Sequence, residues 1–149
     1  MRDIDEITGT VLDVALRLHR ELGPGLLESV YETLLAARLR ALGFQADQQK
    51  LIGVEFDGIR FDAAFRADLF VDERLLVEIK SVDRLAPVHS KQLLTYLRLI
   101  KQPVGLLINF GGETLKEGVK RVVNDYRTSA PPLSSPRLRV NDPSFSSGA

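Results

Sequence analysis

The chain has 149 residues, 44% of them hydrophobic, a length and composition typical of one globular domain. Twenty basic and twenty acidic residues cancel at neutral pH, so no net charge draws the protein to nucleic acid or to an anionic membrane, although a local basic patch would still suit an enzyme. The absence of cysteine excludes disulfides, thiol catalysis and zinc sites built from cysteine.

Two amphipathic helices are predicted first. Apolar residues spaced three or four apart predict a helix over residues 3–22, and Gly23-Pro24-Gly25 breaks it. A second helix is predicted from about 26 to 42, with Gly43 where a left-handed C-terminal residue is favoured. Its predicted apolar face consists of Leu27, Val30, Tyr31, Leu34, Leu35, Leu39 and Leu42.

The hydrophobic period then changes to two, which predicts strands. Residues 51–56 and 59–65 flank Asp57-Gly58, a strong signal for a two-residue hairpin turn. The second strand is predicted to continue to Val71, where the polar residues 72–74 can form the next turn.

A third strand is predicted at residues 75–79, a helix at about 88–101 and a buried strand at 104–110, while residues 115–126 fit either a helix or a final strand. A helix that connects the third strand to a buried fourth indicates a right-handed crossover. The sequence therefore predicts an α/β fold with a mixed sheet.

The composition shifts after residue 127 to serine and proline. We predict one domain over residues 1–127 and a tail over 128–149 that is flexible or docked on a surface. Nothing resembles a signal peptide or the roughly 20 apolar residues of a membrane span, so a cytoplasmic protein without membrane contact is expected.

Asp68, Glu78 and Lys80 are the candidate chemical residues. If residues 72–74 form a three-residue turn, Asp68 lies directly opposite Glu78, at a Cβ separation of about 5 Å. Side chains alternate between the faces of a strand, so Lys80 shares the face of Glu78. A two-residue turn would instead place Val77 opposite Asp68.

Two opposed carboxylates suit a hard cation such as Mg²⁺ or Mn²⁺, which prefers oxygen ligands. A bound metal of this kind activates water and neutralises charge on a phosphodiester, and a neighbouring lysine can stabilise developing negative charge. The alternative is a solvated hairpin face on which Asp68, Glu78 and Lys80 form ordinary cross-strand pairs.

The pattern of Asp68, nine intervening residues and then Glu78-Ile79-Lys80 resembles the active-site motif of the PD-(D/E)XK nuclease superfamily. The order of predicted elements is also similar to the core of that superfamily, a restriction-endonuclease-like fold, here with an extra N-terminal helix. Residues 25–31, which read GLLESVY, resemble the signature of its small GxxExxY family. The similarity extends from about residue 7 to residue 110.

The resemblance implies roles for individual residues. Asp68 and Glu78 would bind the metal, with Glu28 as a third metal ligand, and Lys80 would be the catalytic lysine. Gln92 resembles a helical glutamine placed beside the site. Glu28 could equally be an acidic residue favoured by the dipole of its helix, and Gln92 an exposed helix residue.

One position departs from the motif and another is ambiguous. Ala67 stands where the superfamily motif has its proline, which leaves the backbone before Asp68 less constrained. Tyr31 could hydrogen-bond into the site, but its position on the predicted apolar face favours the core.

Candidate nucleic-acid contacts follow the third strand. His89, Arg84 and Lys91 lie in a segment, residues 80–101, that has five basic residues against Asp83 alone. A basic strip beside carboxylates suits a phosphate backbone. The alternatives are a helix with solvated cations and, for His89, a polar residue at a helix N-terminus.

The resemblance implies a divalent-metal-dependent nuclease that hydrolyses phosphodiester bonds in DNA or RNA. One alternative is a non-catalytic module that binds nucleic acid or protein on the same fold, and another is an oligomeric structural protein. Because many nucleases of this fold cut duplexes as dimers, a homodimer is one candidate assembly.

Overall fold

Three helices and five strands make up the part of the chain that the computed structural model describes, residues 2–124. The predicted tail, 128–149, lies outside the described residues. The elements in chain order are α1 Ile4–Leu22, α2 Glu28–Ala41, β1 Ala46–Phe56, β2 Ile59–Val71, β3 Leu75–Lys80, α3 Pro87–Ile100, β4 Val104–Asn109, a 3₁₀ turn Lys116–Gly118 and β5 Val119–Val123.

The five strands form one mixed sheet in the order β1-β2-β3-β4-β5. All neighbours are antiparallel except β3 and β4, which are parallel and are joined by α3. The predicted mixed α/β fold with a helical crossover is therefore confirmed. The ambiguity at residues 115–126 resolves, within the described part, into the 3₁₀ turn and the short strand β5.

The sheet separates two apolar cores. One lies between the sheet and the pair α1 and α2, and the other lies between the sheet and α3. Along β3, Leu75, Val77 and Ile79 face the first core and Leu76 faces the second. Burial on both faces explains why this strand is an almost continuous apolar run, and strand alternation places Glu78 and Lys80 on the face of Leu76.

Both predicted turns are confirmed. Asp57 and Gly58 have left-handed backbones, with φ of 54° and 75°, as a type I′ hairpin turn requires. Asp72 and Glu73 also have positive φ, and Val71 pairs with Leu75, so the second turn contains three residues. This register decides which polar side chains of β2 and β3 meet.

The prediction for the apolar face of α2 was partly wrong. Leu27 is 73% exposed, and Val30 and Leu42 are also exposed. The buried face instead consists of Tyr31, Glu32, Leu35, Ala36 and Leu39. Because α2 starts only at Glu28, Leu27 is its N-terminal cap, and the helix is rotated so that a carboxylate enters the interior.

Strand β1 begins five residues before the predicted start at residue 51. Residues 47–50 are polar and carry no alternating apolar signal, but Ala46 pairs with Val71 and Gln48 with Leu69. Pairing with the buried end of β2 extends the strand where local sequence gives no signal. None of the described helices is long and apolar enough to cross a membrane.

Candidate active site

Asp68 and Glu78 lie where the pairing of β2 with β3 ends. The ladder runs from Val71 and Leu75 to Leu69 and Val77, and Asp68 and Glu78 are the next opposed residues. Here side chains replace the backbone ladder. The Asp68 amide donates to Glu78 Oε2 at 3.3 Å, and the Ile79 amide donates to Asp68 Oδ2 at 2.8 Å. Each carboxylate is thus held by the backbone of the opposite strand.

Glu78 is buried, with 7% of its surface exposed. Burial raises its pKa to about 8, and the negative charge of Asp68 adds to this rise. The hydrogen bond from the Asp68 amide and the positive charge of Lys80 act in the opposite direction, while Glu32 raises the pKa further. At neutral pH the carboxyl group therefore carries a proton that a cation could replace.

Glu32 is a site residue that the sequence did not predict. It is 5% exposed on the buried face of α2, and its charge acts on Glu78. Its carboxylate accepts from Gln48 Nε2 at 3.1 Å and from Gln49 Nε2 at 2.7 Å. The available signal was its position four residues after Glu28, which places both on one side of the helix.

A cleft of about 550 Å³ opens between the start of α2 and the sheet, and we call it the carboxylate cleft. Its lining residues are Leu26, Leu27, Glu28, Ser29, Glu32, Gln49, Asp68 and Ser81. Glu28 is exposed in the first turn of α2, and its Oε2 accepts from the Ser81 amide at 3.3 Å. The structure thus brings Glu28 and Asp68 to one cleft, with Glu78 buried beside Asp68.

Tyr31 fixes the wall of this cleft. The ring is fully buried and stacks on Phe110 with centroids 4.4 Å apart. Its hydroxyl donates to the Gly23 carbonyl at 2.6 Å and accepts from the Leu26 amide at 3.2 Å. Tyr31 is therefore a core residue, as its apolar position favoured, and its polar end holds the loop before α2.

Lys80 ends β3 two residues after Glu78 and is partly buried. Among the described residues its ammonium group makes no ion pair, but its charge favours the ionised form of Glu78. Lys80 lies near two carboxylates. Because its ammonium group has no ion-pair partner among the described residues, it is available to bind a negatively charged group.

The first turns of α3 contain Gln92 and His89. Gln92 is exposed and makes no hydrogen bond to Asp68, Glu78 or any other residue within 2–124. It lies one turn before Tyr96, whose pKa is raised by burial and by the charges of Glu78 and Asp68. His89 Nδ1 accepts from the Ala86 amide at 3.1 Å, which is the helix N-terminal role that was the alternative for this residue.

The basic residues between β3 and β4 are exposed. Arg84, Lys91, Arg98 and Lys101 form no ion pair with any residue from 2 to 124. Lys91 and Arg98 are seven residues apart and therefore share one face of α3. Cations that are not neutralised internally are free to attract a polyanion.

The donor set fits a hard divalent cation. No three carboxylate or histidine side chains converge into a closed metal cage within residues 2–124. Mg²⁺ does not need one, because it is commonly held by one or two carboxylates and keeps several waters. Burial raises the pKa of Glu78 first and the negative charge of Asp68 second, and it is this neighbouring negative charge that a bound cation would offset.

Comparison with known proteins gives one match. A model of the PD-(D/E)XK nuclease superfamily matches residues 5–122, a span that contains both carboxylates, Lys80, α2, α3 and all of α1 except its first residue. No curated protein and no solved structure matches the chain significantly.

Proposed function

Because the chain belongs to the PD-(D/E)XK nuclease superfamily, we propose that it hydrolyses phosphodiester bonds in DNA or RNA with the help of a divalent metal ion. The observation that carries this proposal is the opposition of Asp68 to a buried Glu78, with Lys80 two residues further along the same strand. Two carboxylates at the end of adjacent strands suit a bound cation, and the cation and the neighbouring lysine together suit a negatively charged substrate.

Asp68 and Glu78 would hold Mg²⁺ or Mn²⁺, with Glu28 or Glu32 on the helix side of the cleft. When bound, such an ion lowers the pKa of water and neutralises charge on the phosphate. Asp68 is oriented for this role by the Ile79 amide. Lys80 would stabilise the negative charge that develops on the phosphate oxygens, since its ammonium group has no fixed partner.

Within the superfamily we propose membership of the GxxExxY family. Gly25, Glu28 and Tyr31 are its signature residues in this chain. Tyr31 supports the loop that precedes α2, and Glu28 reaches the Ser81 amide directly after β3. The Glu28 contact joins the start of α2 to the end of the strand that carries Glu78 and Lys80, and Tyr31 holds the loop from which α2 starts, which gives the signature a physical function. Gln92 is proposed as a helical residue that contacts the bound substrate.

The exposed cations Arg84, Lys91, Arg98 and Lys101, together with His89, are proposed as contacts to the nucleic-acid backbone. Replacing both Lys91 and Arg98 with glutamine is expected to weaken binding to DNA or RNA. The slope of log affinity against log salt concentration should fall by about two, because each cation releases roughly one counterion. Fluorescence anisotropy over a salt series measures this slope.

The matched control replaces Arg20 and Lys116, two exposed cations beside a different cleft near α1, with glutamine. This double variant changes net charge by the same amount and should retain the parental slope. Equal slopes for the parent and the Lys91 and Arg98 variant would contradict the proposed interface.

Metal removal tests the proposed activity. The protein should cut at least one of a panel of labelled single- and double-stranded DNA and RNA substrates in Mg²⁺ or Mn²⁺. Cleavage should stop in EDTA and return when the metal is restored. Metal binding and salt-dependent nucleic-acid binding without cleavage of any substrate would instead favour a non-catalytic binding module on the same fold.

A further inference from the structure

Gln49 has an unusual backbone for a residue in the middle of a strand. Its φ is +50°, a left-handed value that is uncommon outside glycine. The flanking pairs, Gln48 with Leu69 and Lys50 with Ala67, are in register, so Gln49 stands opposite Asp68 without being paired to it. The backbone therefore departs from the strand at the position that faces the site.

The side-chain amide of Gln49 joins two carboxylates. Its Nε2 donates to Glu32 Oε1 at 2.7 Å and to Asp68 Oδ1 at 3.2 Å. An amide nitrogen has two hydrogens, and both are used here. Because the Ile79 amide holds the other oxygen of Asp68, that carboxylate is fixed from both sides.

The alternation of both strands changes at this point. On β1, Ala46 packs in the core of α1 and α2, but Ile52 packs in the core of α3, although both positions are even. On β2, Ala67 faces the α3 core and Leu69 the other. Uninterrupted strands would keep each parity on one face, so the two strands change faces around Gln49 and its opposite residue.

We propose that Gln49 is a positioning residue that ties the helix carboxylate Glu32 to the strand carboxylate Asp68 and so sets their spacing for a metal ion. This inference rests on the proposed function. A strained conformation is retained where the surrounding structure requires it, and strain of this kind concentrates at functional sites. Groups that orient metal ligands commonly change metal affinity by 10- to 100-fold when they are removed.

The test compares two adjacent glutamines. Gln49→Met keeps the length of the side chain and removes both donors, whereas Gln48→Met removes a contact to Glu32 but none to Asp68. Calorimetric titration with Mn²⁺ should give binding about 10-fold weaker for Gln49→Met and a much smaller change for Gln48→Met. Gln49→Gly, which relieves the left-handed backbone and also lacks the amide, should weaken binding as Gln49→Met does.

Parental Mn²⁺ affinity in Gln49→Met, or an equal loss in both methionine variants, would overturn the proposal. A second readout needs no metal. In EDTA, the decreases in Tm caused by Gln49→Met and by Asp68→Ala should be less than additive in the double variant, because both remove the same hydrogen bond. Additive decreases would overturn the link. If the decreases in Tm are less than additive but the parent protein binds no Mn²⁺, the hydrogen bond between Gln49 and Asp68 is supported and the proposed metal-dependent function is overturned.

Discussion

Replacing Glu78 with glutamine is expected to stabilise the metal-free protein at neutral pH and to abolish its Mn²⁺ binding. The carboxyl group of Glu78 has its pKa raised from 4.5 to about 8 in the folded state. Above pH 4.5 the unfolded chain releases this proton more readily, so the stability that the group contributes below that pH is lost as the pH rises towards 8. Each pKa unit corresponds to about 1.4 kcal/mol and pH 7 lies about 2.5 units above the ordinary pKa of 4.5, so the variant should be roughly 3 kcal/mol more stable at pH 7.

Urea unfolding in EDTA between pH 4.5 and 8 measures this effect. The two proteins should have similar free energies of unfolding at pH 4.5 and diverge as the pH rises. Glu113→Gln, a change at an exposed carboxylate, is the control and should follow the parent throughout. If Glu78→Gln is no more stable than the parent at pH 8, burial does not raise the pKa of Glu78 in the folded protein.

In the parent, Mn²⁺ must displace the proton of Glu78, so the affinity for Mn²⁺ should increase from pH 6 to pH 8.

Replacing Lys80 with methionine is expected to reduce cleavage by about 10²–10³-fold, the loss typical when one group that stabilises transition-state charge is removed. Methionine retains most of the length and the apolar part of the side chain, so the fold should be preserved. Mn²⁺ binding should persist, because Asp68 and Glu78 remain. Single-turnover rates at saturating substrate, together with Mn²⁺ titration, separate the loss of chemistry from the loss of metal.

Lys120→Met is the matched control for this change. Lys120 is exposed on β5 at the edge of the sheet, and its loss should leave the cleavage rate unchanged. Cleavage by Lys80→Met at the parental rate would show that this ammonium group does not act on the substrate. Loss of Mn²⁺ binding in the same variant would instead assign Lys80 a role in organising the carboxylates.

The register that brings Asp68 to Glu78 was one of two that the sequence allowed. The polar residues 72–74 are flanked by apolar runs that stop at Val71 and restart at Leu75, which fits a three-residue turn, but only the pairing of Val71 with Leu75 excludes the two-residue turn. Side-chain alternation then gave the positions of the two carboxylates. The parallel pairing of β3 with β4 followed equally from the helix between them.

The helix side of the site could not be predicted in the same way. The three- and four-residue spacing in α2 admits a face through Leu27 and Val30 as well as one through Glu32, and only packing against the sheet selects the second. Gln49 gave no signal, because its left-handed backbone depends on contacts with α2 and β2. Such residues are determined by tertiary contacts.

Resemblance to a family supplied what residue spacing alone could not. The motif around Asp68 and Glu78 is also compatible with a solvated hairpin face, but burial of Glu78 argues against that alternative. Glu28 lines the cleft, and its role as a metal ligand, which the resemblance implied, stays a prediction. Gln92 lies on α3 without a hydrogen bond to a described site residue, and its role stays a prediction.

The most direct test of the proposed nuclease is cleavage of labelled DNA and RNA by the parent and by Glu78→Gln, assayed side by side in Mg²⁺ and in Mn²⁺. The two proteins differ by one isosteric substitution that removes the ionisable carboxyl group, and the variant is expected to be the more stable at neutral pH. We predict that the parent cleaves at least one substrate and that Glu78→Gln cleaves none. Equal cleavage by both proteins would show that the reaction does not occur at the site formed by Asp68 and Glu78.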